Sequence, residues 1–362
     1  LQVEHPVTEM ITGQDLVEWQ LKVASGQPLP LKQSELTITG HSIEARVYAE
    51  DPDKGFLPAT GTLRHLVPPA ESRYVRVDTG VEQGDTISPF YDPMIAKLIV
   101  WGETREAALK QMDAALAAYQ VVGVTTNLPF LRRIVTHHSF ASGDVDTGLI
   151  ARHQDALLAP AAALGIKQLA LLALAEALAT QPQDSHAWTV LSGWRLNGTL
   201  ERRFSFSVDT ASHDVLLRYQ NNGFVLTVDG ASINASATLS GNTLHANLDG
   251  VQTTATVVRD GVKRVLFHLG HRFEVSWVDP YAYEEAGVHG DTHLKAPMPG
   301  RVVALVAPVG EKVEKGAPLL ILEAMKMEHT LNAPNDGVVK AFYFAAGDQV
   351  SEGDELVDFE AE

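Results

Sequence analysis

Residues 296–324 and 333–361 carry the same pattern, displaced by 37 positions without a gap. Eleven of the 29 pairs are identical, among them Pro297/Pro334, Gly300/Gly337, Gly310/Gly347, Gly316/Gly353 and Leu319/Leu356. Glycines recur at the same points of both copies, where a turn needs positive φ or close backbone approach. Units this short cannot each close a core, so two equivalent halves must share one. The repeat therefore predicts a flattened β-barrel of two four-stranded halves around a pseudo-twofold. Between the copies lies Glu323-Ala324-Met325-Lys326-Met327-Glu328. The symmetry places this segment at a tight hairpin with Lys326 at its tip.

The preceding stretch has a different rhythm. Turn pairs recur at Asn222-Gly223, Asp229-Gly230, Ser240-Gly241, Asp249-Gly250 and Asp260-Gly261, and Gly270 continues the series. Alternating runs such as Phe224-Val225-Leu226-Thr227-Val228 lie between them. Such turns between alternating runs are strong hairpin signals. They predict about eight antiparallel strands closing a barrel. Just before it, Ile166–Ala179 has no Gly or Pro, is full of strong helix formers and has few polar positions (Lys167, Gln168, Glu176). That composition predicts a packed helix able to plug or cap the barrel.

Residues 1–153 have α+β texture. A helix is expected from about Asp15 to Gly26, and strands over Ser42–Tyr48 and Met94–Val100. An amphipathic helix over Thr104–Tyr119 places Leu109, Met112 and Leu116 on one face. The chain reads as multidomain α+β, with boundaries at 1–153, 154–280, a linker at 281–293, and 294–362.

Composition narrows the function. The chain lacks Cys, which excludes a disulfide scaffold, a Cys-based zinc site and a thiol nucleophile. A net charge of −17 opposes binding to nucleic acid backbone. The longest apolar run, Leu169–Ala175, falls far short of the ~20 residues of a membrane span. The 14 His are scattered, and adjacent His137-His138 suits no chelating helix face, so no metal site is expected in this chain. Residue 1 is Leu, and the first ten residues read as the inside of a folded domain, so the chain is expected to be part of a longer one.

Residues 294–362 resemble the biotinyl carrier domain of biotin-dependent carboxylases. The resemblance rests on Ala324-Met325-Lys326-Met327 and on Pro297-Met298-Pro299-Gly300. It implies covalent biotin on Lys326. Lipoyl domains share the fold, but their lysine usually sits in Asp-Lys-Ala, so the Met325 and Met327 flanks favour biotin.

Three further segments resemble the C-terminal part of biotin carboxylase, an ATP-grasp enzyme: 1–9, 44–52 and 91–98. The resemblance implies that Glu4 is the base that deprotonates bicarbonate. Gln2 and the Val3 N–H match bicarbonate contacts, and Arg46 matches the arginine that stabilises the biotin enolate. Val124, in Gly123-Val124-Thr125-Thr126-Asn127, would line the adenine pocket. The family's phosphate loop, ATP lysine, Mg²⁺ ligands and bicarbonate arginine precede Leu1, so this chain alone is expected not to hydrolyse ATP or carboxylate biotin.

Residues 154–280 resemble the domain that docks such a subunit to its carboxyltransferase. Gly193-Trp194-Arg195-Leu196-Asn197 looks like the α subunit of 3-methylcrotonyl-CoA carboxylase. Trp188 and Trp194 are candidates for packing the barrel or anchoring an interface. The implied cofactors are biotin, with ATP and Mg²⁺ or Mn²⁺ in the complete subunit. The implied partners are a carboxyltransferase β subunit in a hetero-oligomer and biotin protein ligase, with bicarbonate and an acyl-CoA as substrates. Geranyl-CoA and propionyl-CoA enzymes, a non-catalytic carrier and assembly module, and a lipoyl carrier are the alternatives. The expected location is cytoplasmic.

Overall fold

Strand His41–Tyr48 alternates, and the alternation gives its sheet two unlike faces. Ile43, Ala45 and Val47 are buried, whereas Glu44, Arg46 and Tyr48 are not. This contrast is seen in a computed structural model that describes residues 1–160, 162–180, 195–208, 211–279, 293–297, 299–324, 327–351 and 353–361. The chain forms two units, 1–158 with 285–362, and 159–284.

In the first unit, strand Met94–Gly102 lies between His41–Tyr48 and Val75–Thr79, antiparallel to both. Their apolar face packs on helix Arg105–Ala118, which buries Leu109, Met112 and Leu116. Thr104 caps that helix by accepting the Ala107 N–H. The polar face of the same sheet receives helix His5–Thr12. Helix Leu16–Ala24 begins at Asp15, whose side chain accepts the Glu18 N–H.

Strands Gly300–Leu305 to Glu355–Ala361 realise the repeat in an interlocked form. One sheet runs His293–Lys295, Glu355–Ala361, Gly337–Phe342, Lys312–Val313. The other runs Met327–Asn332, Pro318–Ala324, Gly300–Leu305, Gln349–Val350. A shift of 37 carries the order of one sheet onto the order of the other. Each sheet takes strands from both copies, which is why neither copy can fold alone. The turn bonds obey the same symmetry. Gly310 N–H donates to Val339 at 2.8 Å and Gly347 N–H to Val302 at 2.7 Å. Gly316 N–H donates to Ala333 at 2.8 Å and Gly353 N–H to Ala296 at 2.9 Å. All four glycines have positive φ.

In the second unit, eight strands from Glu201–Val208 to His271–Val278 close an antiparallel barrel in sequence order. Helix Ile166–Ala179 plugs it: Leu169 to Ala175 are each at most 1% exposed, and the helix shares one core with the barrel strands. A helix apolar on every side must be enclosed on every side. Asp229-Gly230, Asp249-Gly250 and Leu269-Gly270 have positive φ at both positions, the type I′ signature that matches strand twist. Three turns differ from expectation: Ser240 pairs with Thr243 and Asp260 with Lys263, so two of the turns are Gly241-Asn242 and Gly261-Val262. In the third, Gln220 pairs with Gly223, so the turn is Asn221-Asn222 and Gly223 opens the next strand. A Cβ on Gly223 would meet the Ala235 carbonyl oxygen at 2.3 Å, so glycine serves close strand approach there. Trp188, Trp194 and residues 281–292 of the expected linker lie outside the described residues.

Candidate functional site

The polar face of the three-stranded sheet carries an alternating set of charges. Arg46 sits opposite Lys97, and Lys97 sits opposite Asp78 on the far strand. Glu44 lies two residues from Arg46 on the same face. Like charges directly opposed across strands cost stability. The Arg46–Lys97 pair therefore marks a face organised around something other than strand pairing.

Helix His5–Thr12 covers this face and brings Gln2, Val3 and Glu4 to its N-terminal end. Glu4 is the N-cap, with no side-chain capping bond, so its carboxylate is not spent on the helix. The Gln2 carbonyl accepts from His5 Nδ1 at 2.9 Å. Lys97 Nζ donates to the Val3 carbonyl at 3.2 Å and lies 3.5 Å from Asp78 Oδ2. Arg76 grips Asp78 with two bonds of 2.7 and 2.9 Å and reaches Glu9 at 2.7 Å. Glu9 Oε1 accepts the Leu16 N–H at 2.8 Å, tying the next helix to the same network. The Asp78 and Glu9 carboxylates hold Arg76 firmly in its charged form.

Glu4 and Arg46 lie on neighbouring elements, but no ion pair joins them among the described residues. Arg46 instead stands over the Tyr48 ring, 5.8 Å from its centroid. Glu44 is half-buried, and its Oε2 has no hydrogen-bond partner among the described residues. Burial raises its carboxyl above the usual glutamate range, against the pull of the Lys97 ammonium. A carboxyl raised on folding stabilises the fold below its unfolded value, near ~4.3, and loses that contribution as pH rises through the folded value. Denaturant unfolding of the wild-type chain is therefore expected to show a fall in stability just above that pH that Glu44→Gln flattens.

Asn127 is the stitch that holds the Arg46 strand. Its Oδ1 accepts the Tyr48 N–H at 3.0 Å, and its Nδ2 donates to the Arg46 carbonyl and to Glu50 Oε1, both at 3.1 Å. Asn127 is also the N-cap of helix Leu128–Thr136 but makes no capping bond, because its amide is committed to the strand. Burial raises the Glu50 carboxyl, and the Asn127 bond works against that rise. Asn127→Ala strips partners from two half-buried groups, Tyr48 N–H and Glu50. An expected loss of about 1–3 kcal/mol follows, read by denaturant unfolding.

Val124 is buried in the core. It follows Gly123, where a Cβ would lie 1.9 Å from the Thr62 carbonyl oxygen. That packing seats the 123–127 segment. Lys326 and Met325 lie outside the described residues, and nothing is described of the Met327 side chain. The flanking strands are paired up to Ala324 and Met327, so residues 325 and 326 alone separate the paired positions.

The sequence reading missed Lys97, Asp78, Glu44 and Asn127. Lys97 had a signal: it is the one charge inside Ile95-Ala96-Lys97-Leu98-Ile99-Val100. Asn127 had none beyond membership of a noted segment. Among the described residues, no group of three or more His, Asp or Glu is arranged to hold a metal, and no helix is long and apolar enough to cross a membrane.

Four family models match in chain order. They are the carbamoyl-phosphate synthase L chain ATP binding domain over 1–32 and the biotin carboxylase C-terminal domain over 44–152. The methylcrotonyl-CoA carboxylase alpha-subunit BT domain follows over 154–280, then the biotin-requiring enzyme model over 292–359. The chain belongs to the biotin-dependent carboxylase α subunits. It is 40% identical to the mitochondrial methylcrotonoyl-CoA carboxylase subunit alpha of Dictyostelium discoideum, across 97% of this chain and 53% of that one. The Mus musculus counterpart is 37% identical across 100% and 53%. The mitochondrial propionyl-CoA carboxylase alpha chain of Mus musculus is 36% identical across 99% and 52%. The chain thus spans about half the length of the curated relatives it matches. These relatives of the carboxylase are named as mitochondrial, which overturns the cytoplasmic expectation. The absence of Cys excludes an oxidised scaffold but does not distinguish one reducing compartment from another.

Proposed function

We propose that this chain is the carboxyl-carrying part of an acyl-CoA carboxylase, with biotin on Lys326 and a bicarbonate turn at Gln2–Glu4. One observation carries the carrier role: the interlocked sheets are paired up to Ala324 and Met327, on either side of Lys326. Bound biotin would supply a ureido nitrogen that takes up a carboxyl group and gives it away. The chain's own residues do the rest. Gln2 and the Val3 N–H hold bicarbonate, and Glu4 accepts its proton. Arg46 would hold the bound group with its guanidinium and offset negative charge there. Among the described residues no ion pair joins Glu4 to Arg46, so neither charge is spent on the other, and Arg46 stands over the Tyr48 ring. ATP and Mg²⁺ would bind in the complete subunit, with Val124 seating the segment nearest the adenine.

The proposed division is 1–153 for the carboxylase part, 154–280 for docking to a carboxyltransferase β subunit, 281–293 for the linker and 294–362 for the carrier, which biotin protein ligase would load. The proposed acyl-CoA is 3-methylcrotonyl-CoA, supported by the match of the 154–280 domain. The test is co-purification of the complete subunit with its carboxyltransferase, followed by labelled-bicarbonate incorporation into several acyl-CoAs. Preferred carboxylation of 3-methylcrotonyl-CoA is expected. Preferred use of propionyl-CoA or geranyl-CoA overturns the substrate, and no incorporation into any acyl-CoA overturns the enzyme reading.

A further inference from the structure

The N-terminal turn has a support that none of its assigned residues supplies. Its own backbone bonds are few: Val7 N–H donates to the Glu4 carbonyl at 3.1 Å and His5 N–H to the Gln2 carbonyl at 3.3 Å. The Val3 carbonyl is taken by Lys97, 94 residues away in sequence, whose side chain is only 13% exposed. That carbonyl and the Glu4 N–H belong to one rigid peptide plane. Fixing the carbonyl therefore fixes the plane from which the Glu4 side chain departs.

Lys97 can hold this plane because it is itself held. Asp78 takes part of its charge at 3.5 Å, and Asp78 is gripped twice by Arg76, which Glu9 anchors. Glu9 returns the chain to helix His5–Thr12, the helix that Glu4 caps. The network is closed: sheet to turn through Lys97, and sheet to helix through Arg76. The groups facing Lys97 are Asp78, Glu44 and Arg46, with Glu4 and His5 beyond Glu44. An ammonium that donates to the Val3 carbonyl at 3.2 Å and is held 3.5 Å from Asp78 ties the turn to the sheet, which is the work of a clamp.

We propose that Lys97 is a positioning residue for bicarbonate deprotonation, clamping the Val3–Glu4 peptide so that the Glu4 carboxylate meets the bound anion. This rests on the reading of Gln2–Glu4 as the bicarbonate turn. Placement errors of about 1 Å at a reacting centre cost on the order of 10²-fold in rate. Lys97→Met keeps the stem and removes the donor.

The test uses the complete subunit and measures bicarbonate-dependent ATP turnover with free biotin. Lys97→Met is expected to raise the bicarbonate KM at least about tenfold and lower kcat, with the ATP KM unchanged. Lys97→Arg, which keeps a charged donor, is expected to restore most of the loss. A merely structural lysine would lower the unfolding midpoint and the active fraction while leaving the bicarbonate KM of the folded enzyme alone. If Lys97→Met does not fold, Lys97→Gln, with a neutral donor, carries the same comparison. Glu4→Gln in the same assay separates the two readings. Full activity in Glu4→Gln overturns the bicarbonate turn itself. Loss in Glu4→Gln beside a wild-type bicarbonate KM in Lys97→Met overturns only the clamp.

Discussion

Lys326→Arg is expected to abolish biotin attachment. Chain co-expressed with biotin protein ligase is expected to react with streptavidin, and the peptide containing residue 326 to carry the biotin mass increment. In the variant both signals fall to background. Amide formation needs a primary amine that can lose its proton. A lysine amine can do so, whereas a guanidinium is far more basic and stays charged and delocalised. The substitution keeps the charge of the unmodified residue and falls, in sequence, between the paired positions Ala324 and Met327. Thermal stability is therefore expected to change by no more than about 0.5 kcal/mol. Biotin retained in Lys326→Arg overturns the assignment of the residue, and a lipoyl increment on the wild-type chain overturns the assignment of the group.

Local and repeated features of this chain were legible because the sequence states them more than once. Gly310/Gly347 and Gly316/Gly353 announce the interlocked sheets, and the structure gives each pair equivalent hydrogen bonds that the shift of 37 exchanges. The Asp-Gly turns announce the barrel, and the Ala- and Leu-rich run of Ile166–Ala179 announces its plug. The parity of Ile43, Ala45 and Val47 gives the buried face of the first sheet, and by elimination puts Glu44 and Arg46 on the other.

Long-range polar pairing was not legible. Lys97 meets Val3, Asn127 meets Tyr48 and Glu50, and Glu176 meets Arg264. Nothing periodic relates such partners, and each choice depends on which strand the fold lays beside which. Asn222-Gly223 misled for a related reason. A glycine after an asparagine reads as a turn, but here the register makes it the first strand residue, needed because Ala235 passes too close for a side chain. The site was thus visible as a set of reacting groups and hidden as a set of supports.

Glu176→Ala is expected to cost about 3–5 kcal/mol in the 159–284 unit, the effect of leaving a buried charge without its partner. Glu176 and Arg264 are each only 6% exposed, joined by Nε–Oε1 at 2.7 Å and Nη2–Oε2 at 3.4 Å. Arg264 also donates to the Gly261 and Lys263 carbonyls at 2.7 and 2.9 Å and lies over Trp277. The guanidinium cannot reach water without leaving those bonds. Hydrogen exchange of helix Ile166–Ala179 and strand Lys263–His268 reads the loss, expected as roughly 10²–10⁴-fold lower protection. A double variant, Glu176→Leu with Arg264→Met, removes both charges and is expected to recover most of that protection, since an apolar pair of similar volume suits the site. Wild-type protection in Glu176→Ala, or a double variant as weak as the single, overturns the account. The pair matters beyond its energy because the helix is otherwise Ala and Leu around its buried middle, with no apolar stripe to set its rotation. Glu176 supplies the one buried direction, and Arg264, fixed to the strand end by two backbone carbonyls, tells the plug how far to turn and how deep to sit.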